Sequence, residues 1–377
     1  MGKFGKISIL HGIFLVMTFI GLKNHVTILP PILETVKRDG WASVILAAVL
    51  ILPWLLLIIY IQNKSNQKPI NIWLKEKIGK FGSAIIIYTT ALFLLFLAAF
   101  TMRETILWIS STFLVETPTL LLVVIYIIVC ILLASTNILT IVIVNAFVLF
   151  FVVVFGFFVA FANLQVKEYS YLFPFFENGL TPVIIGAVYP ASGFIELTLL
   201  LFLQHRFKQK LKWYHLAIMV FILLGLTMGP LIGAITAFGP EEAAKQRYPA
   251  YEEWGLVTIG RFIEHMDFLS IYQWLTGTFI RVGLLLFIAA DILNITGKSK
   301  KIWTYLAPPF FIINLSLFLM DDSLFIDLNT HGFLISTLVF FLTLSIVFAT
   351  IALFSKKQKK KSNGNSTNTQ KSEGSGT

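Results

Sequence analysis

Long apolar stretches, each closed by a short polar or charged segment, follow one another along almost the whole chain. A helix needs about 20 apolar residues to cross a hydrocarbon core of roughly 30 Å, and the pattern predicts ten such spans. They cover residues 8–35, 41–61, 83–111, 118–134 and 139–162, then 179–203, 214–238, 268–292, 304–320 and 333–354. Short connections make most neighbours antiparallel. Residues 1–354 thus read as one all-α transmembrane domain and 355–377 as a separate tail. Before span three, INIWLKEKIGK sets Ile70, Trp73, Leu74 and Ile78 near helical spacing with lysines between, as an interfacial helix does. The tail KKQKKKSNGNSTNTQKSEGSGT carries no residues that could bury a core and is expected to be disordered.

Composition agrees: 57% of residues are hydrophobic and 13% charged, against about 25% charged in soluble domains. A separate soluble domain would take on the order of 100 residues, and no polar stretch approaches that, so a soluble catalytic domain is excluded and the chain reads as no enzyme. The opening MGKFGKISILHGIFLV resembles a signal peptide, but its apolar run continues past Pro30 without a clear small-residue cleavage site, so it reads as span one. Cys130, the single cysteine, has no disulfide partner and reads as a small core residue. The histidines lack metal-ligand spacing, and no phosphate loop or nucleophile elbow occurs, so neither metal nor cofactor is expected.

Charge sets the orientation, because cytoplasmic loops retain lysine and arginine. With the N-terminus inside, Lys3 and Lys6, the groups Lys64 to Lys80, Arg206 to Lys212 and Lys298 to Lys301, and the tail lysines are all cytoplasmic. Lys37, Arg38, Lys167, Lys245, Arg247 and Arg261 fall outside, as do the carboxylates Glu34, Asp39, Glu116, Glu241, Glu242, Asp321 and Asp322. Both termini are then cytoplasmic. The net charge of +10 is spread over alternate loops, which excludes nucleic acid as a partner. The glycosylation triplets at Asn63 and Asn294 lie on the cytoplasmic side and are discarded.

Irregular backbone within a bilayer persists only where protein or a cavity satisfies its polar groups. Two spans carry such signals. Span one holds Gly21, Lys23, Asn24, His25 and Thr27 before Pro30 and Pro31; span six holds Gly186, Tyr189, Pro190, Ser192 and Gly193 before Glu196. These spans open two halves of five, about 8–162 and 179–354, and an odd number inverts the second half. That predicts a 5+5 inverted repeat whose broken first and sixth helices bind a ligand at the midplane; the plainer alternative is a pair of ordinary proline kinks. Lys23, His25, Arg103, Glu104, Glu196 and Arg281 lie within spans, where each charge costs at least about 2.5 kcal/mol unless paired or wet. Lys23 reads as a cavity cation or as a structural partner of Glu104 or Glu196, Arg103 with Glu104 as a local ion pair, and Arg281 as facing the pocket or joining helices. Tyr189, Tyr272 and Trp274 can stack on a ligand or fill the core.

Four stretches carry a family resemblance: KIGKFGSAI; MRETILWISSTFLVETPTL, with Arg103, Thr117 and Pro118; FPFFENGLTPVIIGAVYP, with Pro174, Gly179, Pro182 and Gly186; and YPAYEEWGLVTIGRFIEHMDFLSIYQWLTGTFIR, with Tyr248, Pro249, Asp267, Trp274 and Arg281. In their order and spacing the chain resembles the endospore germination permeases, the B subunits of nutrient germinant receptors. The resemblance implies the fold of the amino acid, polyamine and organocation transporter superfamily. It also implies residence in the spore inner membrane, assembly with an A subunit and a lipoprotein C subunit, and binding of a small nutrient, often an amino acid. The chain departs from that pattern in span one, where Lys23, Asn24 and His25 make the break polar.

These readings combine into an expected outward-open cavity between spans one, three, six and eight, where the two breaks bind the charged ends of a small germinant. A cation-coupled amino acid permease of growing cells, with Glu196, His25 or Lys23 carrying a proton, is the alternative. A scaffold that only holds its partners in the membrane is a third.

Overall fold

The computed structural model describes residues 5–258 and 266–354. Arg261, the basic tail and its expected disorder lie outside the described residues. Among those residues the chain is all-helical, with no strand beyond one isolated bridge between Ile7 and Phe207.

The helices are α1 (Ile9–Leu22), α2 (Leu29–Val36), α3 (Gly40–Ser65), α4 (Ile70–Thr112), α5 (Thr119–Ala134) and α6 (Ile138–Ala162). The short pieces α7 (Thr181–Gly186), α8 (Val188–Phe194) and α9 (Leu199–Leu203) come next. They are followed by α10 (Trp213–Phe238), α11 (Pro240–Ala243), α12 (Pro249–Gly255), α13 (Phe268–Ile292), α14 (Ser299–Lys301), α15 (Ala307–Phe318), α16 (Asp322–Asp327) and α17 (Leu334–Phe354). Helix occupies most of every stretch marked as a span from the sequence.

Among the described residues, seven continuous helical runs are long and apolar enough to cross a membrane: Ile9–Ser65, Ile70–Thr112, Ile138–Gln165, Thr181–Arg206, Trp213–Phe238, Phe268–Ile292 and Asp322–Phe354. The first, at 57 residues, covers two predicted spans and turns at Lys37, whose φ is 55°. Helices α5 and α15, at 16 and 12 residues, fall below the length of a full crossing.

Two departures from regular helix follow from the sequence. Pro30 and Pro31 have no N–H to offer the carbonyls of Val26 and Thr27, and before them the chain widens into a π-helical turn, Lys23–Thr27, closed by Ile28 N–H on the Lys23 carbonyl at 3.2 Å. Gly79, at φ 77° and ψ −177°, divides α4 into an amphipathic segment and the span proper. Trp73 and Leu74 of that segment are buried and Lys75 is exposed, which matches the separate helix expected there.

The runs Phe268–Ile292 and Thr181–Arg206 are the most enclosed, and α13 packs against α1, α4, α5 and α6. Large apolar side chains such as Leu50, Phe81, Phe147, Phe157 and Phe221 point outward, as expected of a surface facing lipid.

Candidate functional site

At the centre of the bundle a carboxylate is held between two cations. Lys23, the first residue of the π-helical turn, donates to Glu196 Oε1 and to the Ser192 carbonyl, both at 2.9 Å. Arg281 of α13 grips the same carboxylate with Nη1 to Oε2 at 2.8 Å and Nη2 to Oε1 at 3.0 Å. It also donates to the Phe19 carbonyl and, through Nε, to Thr101 at 3.0 Å. The three charged side chains are at most 4% exposed, so α1, α4, α13 and the 3-10 turn Ile195–Thr198 are tied together where water cannot screen the charges. Of the partners open to Lys23 on the sequence, Glu196 is the one it meets.

The rest of the span-one cluster fans out around this centre. Asn24 donates to Thr227 Oγ1 at 3.2 Å and presses its Oδ1 against Gly193, where an added Cβ would lie 1.8 Å away. Ser192 bonds its hydroxyl to the Tyr189 carbonyl at 2.7 Å, and Tyr189 and Pro190 are buried beside it. His25 Nδ1 lies 3.0 Å from the Leu226 carbonyl, the acceptor that Pro230, four residues on in α10, cannot serve. Thr27 donates to Glu104 at 2.8 Å.

The local Arg103–Glu104 pair expected from the sequence is corrected. Consecutive helical residues do not face each other. Arg103 turns to Asp322 and lies 4.6 Å from the centre of the Phe318 ring. Glu104 turns to Thr27, with Arg247 at 3.9 Å. Trp274 stacks on Trp108 with ring centres 4.2 Å apart and donates to Thr105 at 3.0 Å, while Tyr272 reaches the Val148 carbonyl at 3.4 Å.

A cavity of about 500 Å³ opens on another face of α1, between α1, α6, α10 and α13, with α12 across one end. Gly21, His25 and Trp274 line it; Lys23, Asn24, Thr27, Tyr189, Pro190, Ser192, Gly193 and Glu196 do not. This cavity thus lies between spans one, five, seven and eight, beside the position expected between spans one, three, six and eight. Towards span six, the Gly193–Asn24 approach and the charge cluster fill the space. On the cavity side five glycines, Gly21, Gly156, Gly225, Gly229 and Gly277, leave it open.

Sequence reasoning missed both carboxylate- and ammonium-bearing residues of the cavity lining, Glu253 and Lys167. Both fall in loops that carry their charge to water in an unfolded reading, and only the return of α12 over the bundle encloses them. Pro230, within the apolar run of α10, was the available signal for the carbonyl that His25 meets.

Several apolar helices of spanning length define a multi-pass membrane protein. A family profile described as spore germination protein matches residues 6–326, and the chain belongs to that family. It is 41% identical over 281 residues to Spore germination protein XB of Bacillus anthracis, covering 74% of this chain and 79% of that one. It is 27% identical over 368 residues to the Putative spore germination protein YfkT of Bacillus subtilis (strain 168), covering 94% and 99% respectively.

Proposed function

We propose that this germination-related membrane protein is the membrane subunit of a nutrient germinant receptor. A small germinant, with amino acids the leading class, enters the cavity beside the π-helical turn of span one, and an A subunit and a lipoprotein C subunit carry the response onward in the spore inner membrane. The reading includes ten spans in a 5+5 inverted repeat, with both termini cytoplasmic.

The cavity carries this proposal. It is within the range of about 300–1,000 Å³ typical of small-molecule sites, and its walls come from α1 and α6 of one half and α10 and α13 of the other. A ligand between the halves biases their relative position if it binds one arrangement better than the other. Tyr189, Pro190, Ser192 and Gly193 support the wall behind Lys23 and Asn24, while Glu196, Arg281, Arg103 and Glu104 hold the surrounding helices.

The ion cluster favours a receptor over a cation-coupled permease. The Lys23 ammonium already occupies the place between the Ser192 carbonyl and Glu196 where a mobile cation would bind. Spores lacking this chain should lose germination in response to one small nutrient, read as retained refractility, and recover it when the chain is restored. Unchanged responses across a nutrient panel would overturn the receptor reading, and sustained uptake by vesicles holding this chain alone would replace it with transport.

A further inference from the structure

Most polar side chains around the cavity are already satisfied. His25 is bonded to the Leu226 carbonyl, Thr18 donates to the Phe14 carbonyl at 3.3 Å, and Tyr251 donates to Asp267 at 3.3 Å. Gln273 accepts from Trp254 Nε1 and donates to the Val152 carbonyl, both at 2.9 Å. Lys167 and Glu253 differ. Their charged atoms are 4.0 Å apart, beyond hydrogen-bond reach, with the side chains 9% and 6% exposed. Glu253 Oε1 is buried and has no hydrogen-bond partner among the described residues.

The carboxylate is held there by its surroundings. Asn163 donates to the Glu253 backbone carbonyl at 2.6 Å and fixes α12. Gly233 makes room, since a Cβ at that position would lie 2.2 Å from Glu253 Oε2. An unsatisfied buried carboxylate is costly, and burial pushes Glu253 up to about 8 against the pull of Lys167. Beside it the cavity is walled by Trp254, Tyr251 and Trp274 and by glycine surfaces.

We infer that Glu253 and Lys167 form the recognition end of this cavity and take a compact amphoteric molecule, its ammonium on Glu253 and its carboxylate on Lys167. An ammonium and a buried carboxyl group held slightly too far apart to bond each other match a ligand whose own ammonium draws the proton off Glu253 and whose carboxylate meets Lys167. Either charge alone would leave one protein group without a partner. The aromatic wall and the glycine faces then receive the ligand's uncharged body. The inference rests on the receptor reading for its biological consequence, while the binding step stands on these contacts.

The test uses the purified full chain in detergent, with free α-amino acids as probes and isothermal titration as the readout. A saturable response is expected from at least one amino acid. It should fall at least tenfold in affinity for the same compound with its amine acetylated and, separately, with its carboxylate amidated. These comparisons need no variant. Glu253→Gln and Lys167→Met should each weaken binding by a similar factor. Gly229→Leu should abolish it, because a Cβ at Gly229 meets nothing within 4 Å and the side chain extends into the cavity.

Binding that survives both charge substitutions, or survives Gly229→Leu in a monodisperse protein, would overturn the site. Equal binding of the amidated compound would overturn the amphoteric ligand, and no binding of any probe would overturn the inference as a whole. Spores lacking the chain that germinate normally would remove the receptor role and leave a measured binding site standing, so the two failures are distinguishable.

Discussion

Glu196 neutralises one of the two cations beside it, so its loss and the loss of Lys23 are unequal events. Glu196→Gln leaves two buried cations without a counter-charge, and breaking such a pair costs about 3–5 kcal/mol; Lys23→Met leaves the bidentate Arg281–Glu196 pair intact. Thermal unfolding in detergent should show a large fall for Glu196→Gln and a much smaller one for Lys23→Met; equal falls would contradict the arrangement. Glu253 gives a pH signature. Its folded value of about 8 lies above the ordinary 4.5, so between those values the folded chain holds a proton that the unfolded chain has lost. The stabilisation is complete below about pH 4.5 and is lost as pH rises through 8. Glu253→Gln should flatten this part of the stability profile, with Lys167, His25 and Tyr251 common to both proteins. At this scale the sequence marked Lys23, His25, Glu196 and Arg281 by their cost inside a span. It could not orient them, because helix rotation decides which partner each side chain meets, as Arg103 and Glu104 show.

Departures from ideal helix have local causes, and most were legible. Pro30 and Pro31 announced a change in span one, although a widened turn and a full unwinding share the same residues. Gly193 and Asn24 form a contact between two such segments, and its tightness gives a prediction. Gly193→Ala should destabilise the chain strongly, and adding Asn24→Ala should recover part of the loss, because the obstructing Oδ1 is then gone. A purely additive double substitution would refute the contact. Gly79 meets nothing within 4 Å yet sits at φ 77°, ψ −177°, a region held almost only by glycine. Gly79→Ala should therefore cost about 1–3 kcal/mol through backbone strain alone, and an unchanged unfolding temperature would count against the kink. The amphipathic pattern of INIWLKEKIGK foretold a separate segment, and the glycine fixes where it turns.

The outline of the whole molecule was clear from hydropathy, since helix fills most of every marked stretch and several edges agree to within one or two residues. The cavity was not, because its charged end depends on α12 returning over the bundle, a tertiary event without periodicity. Orientation rests on lysine and arginine placement, and labelling tests it. With Cys130 buried, a cysteine at exposed Ser170 should react with an impermeant maleimide added outside intact cells. One at exposed Lys300 should react only after permeabilisation, and the reverse pattern would invert the topology. The ion cluster also bears on how the chain is made. Lys23 and Glu196 are 173 residues apart, and at about 5–20 residues per second the ribosome takes roughly 9–35 s to cover that distance. Throughout that interval the Lys23 ammonium has no Glu196 to pair with, because that residue has not been synthesised. The final seating of the first span is therefore a late event in biogenesis, completed when the second half of the chain delivers Glu196 and Arg281.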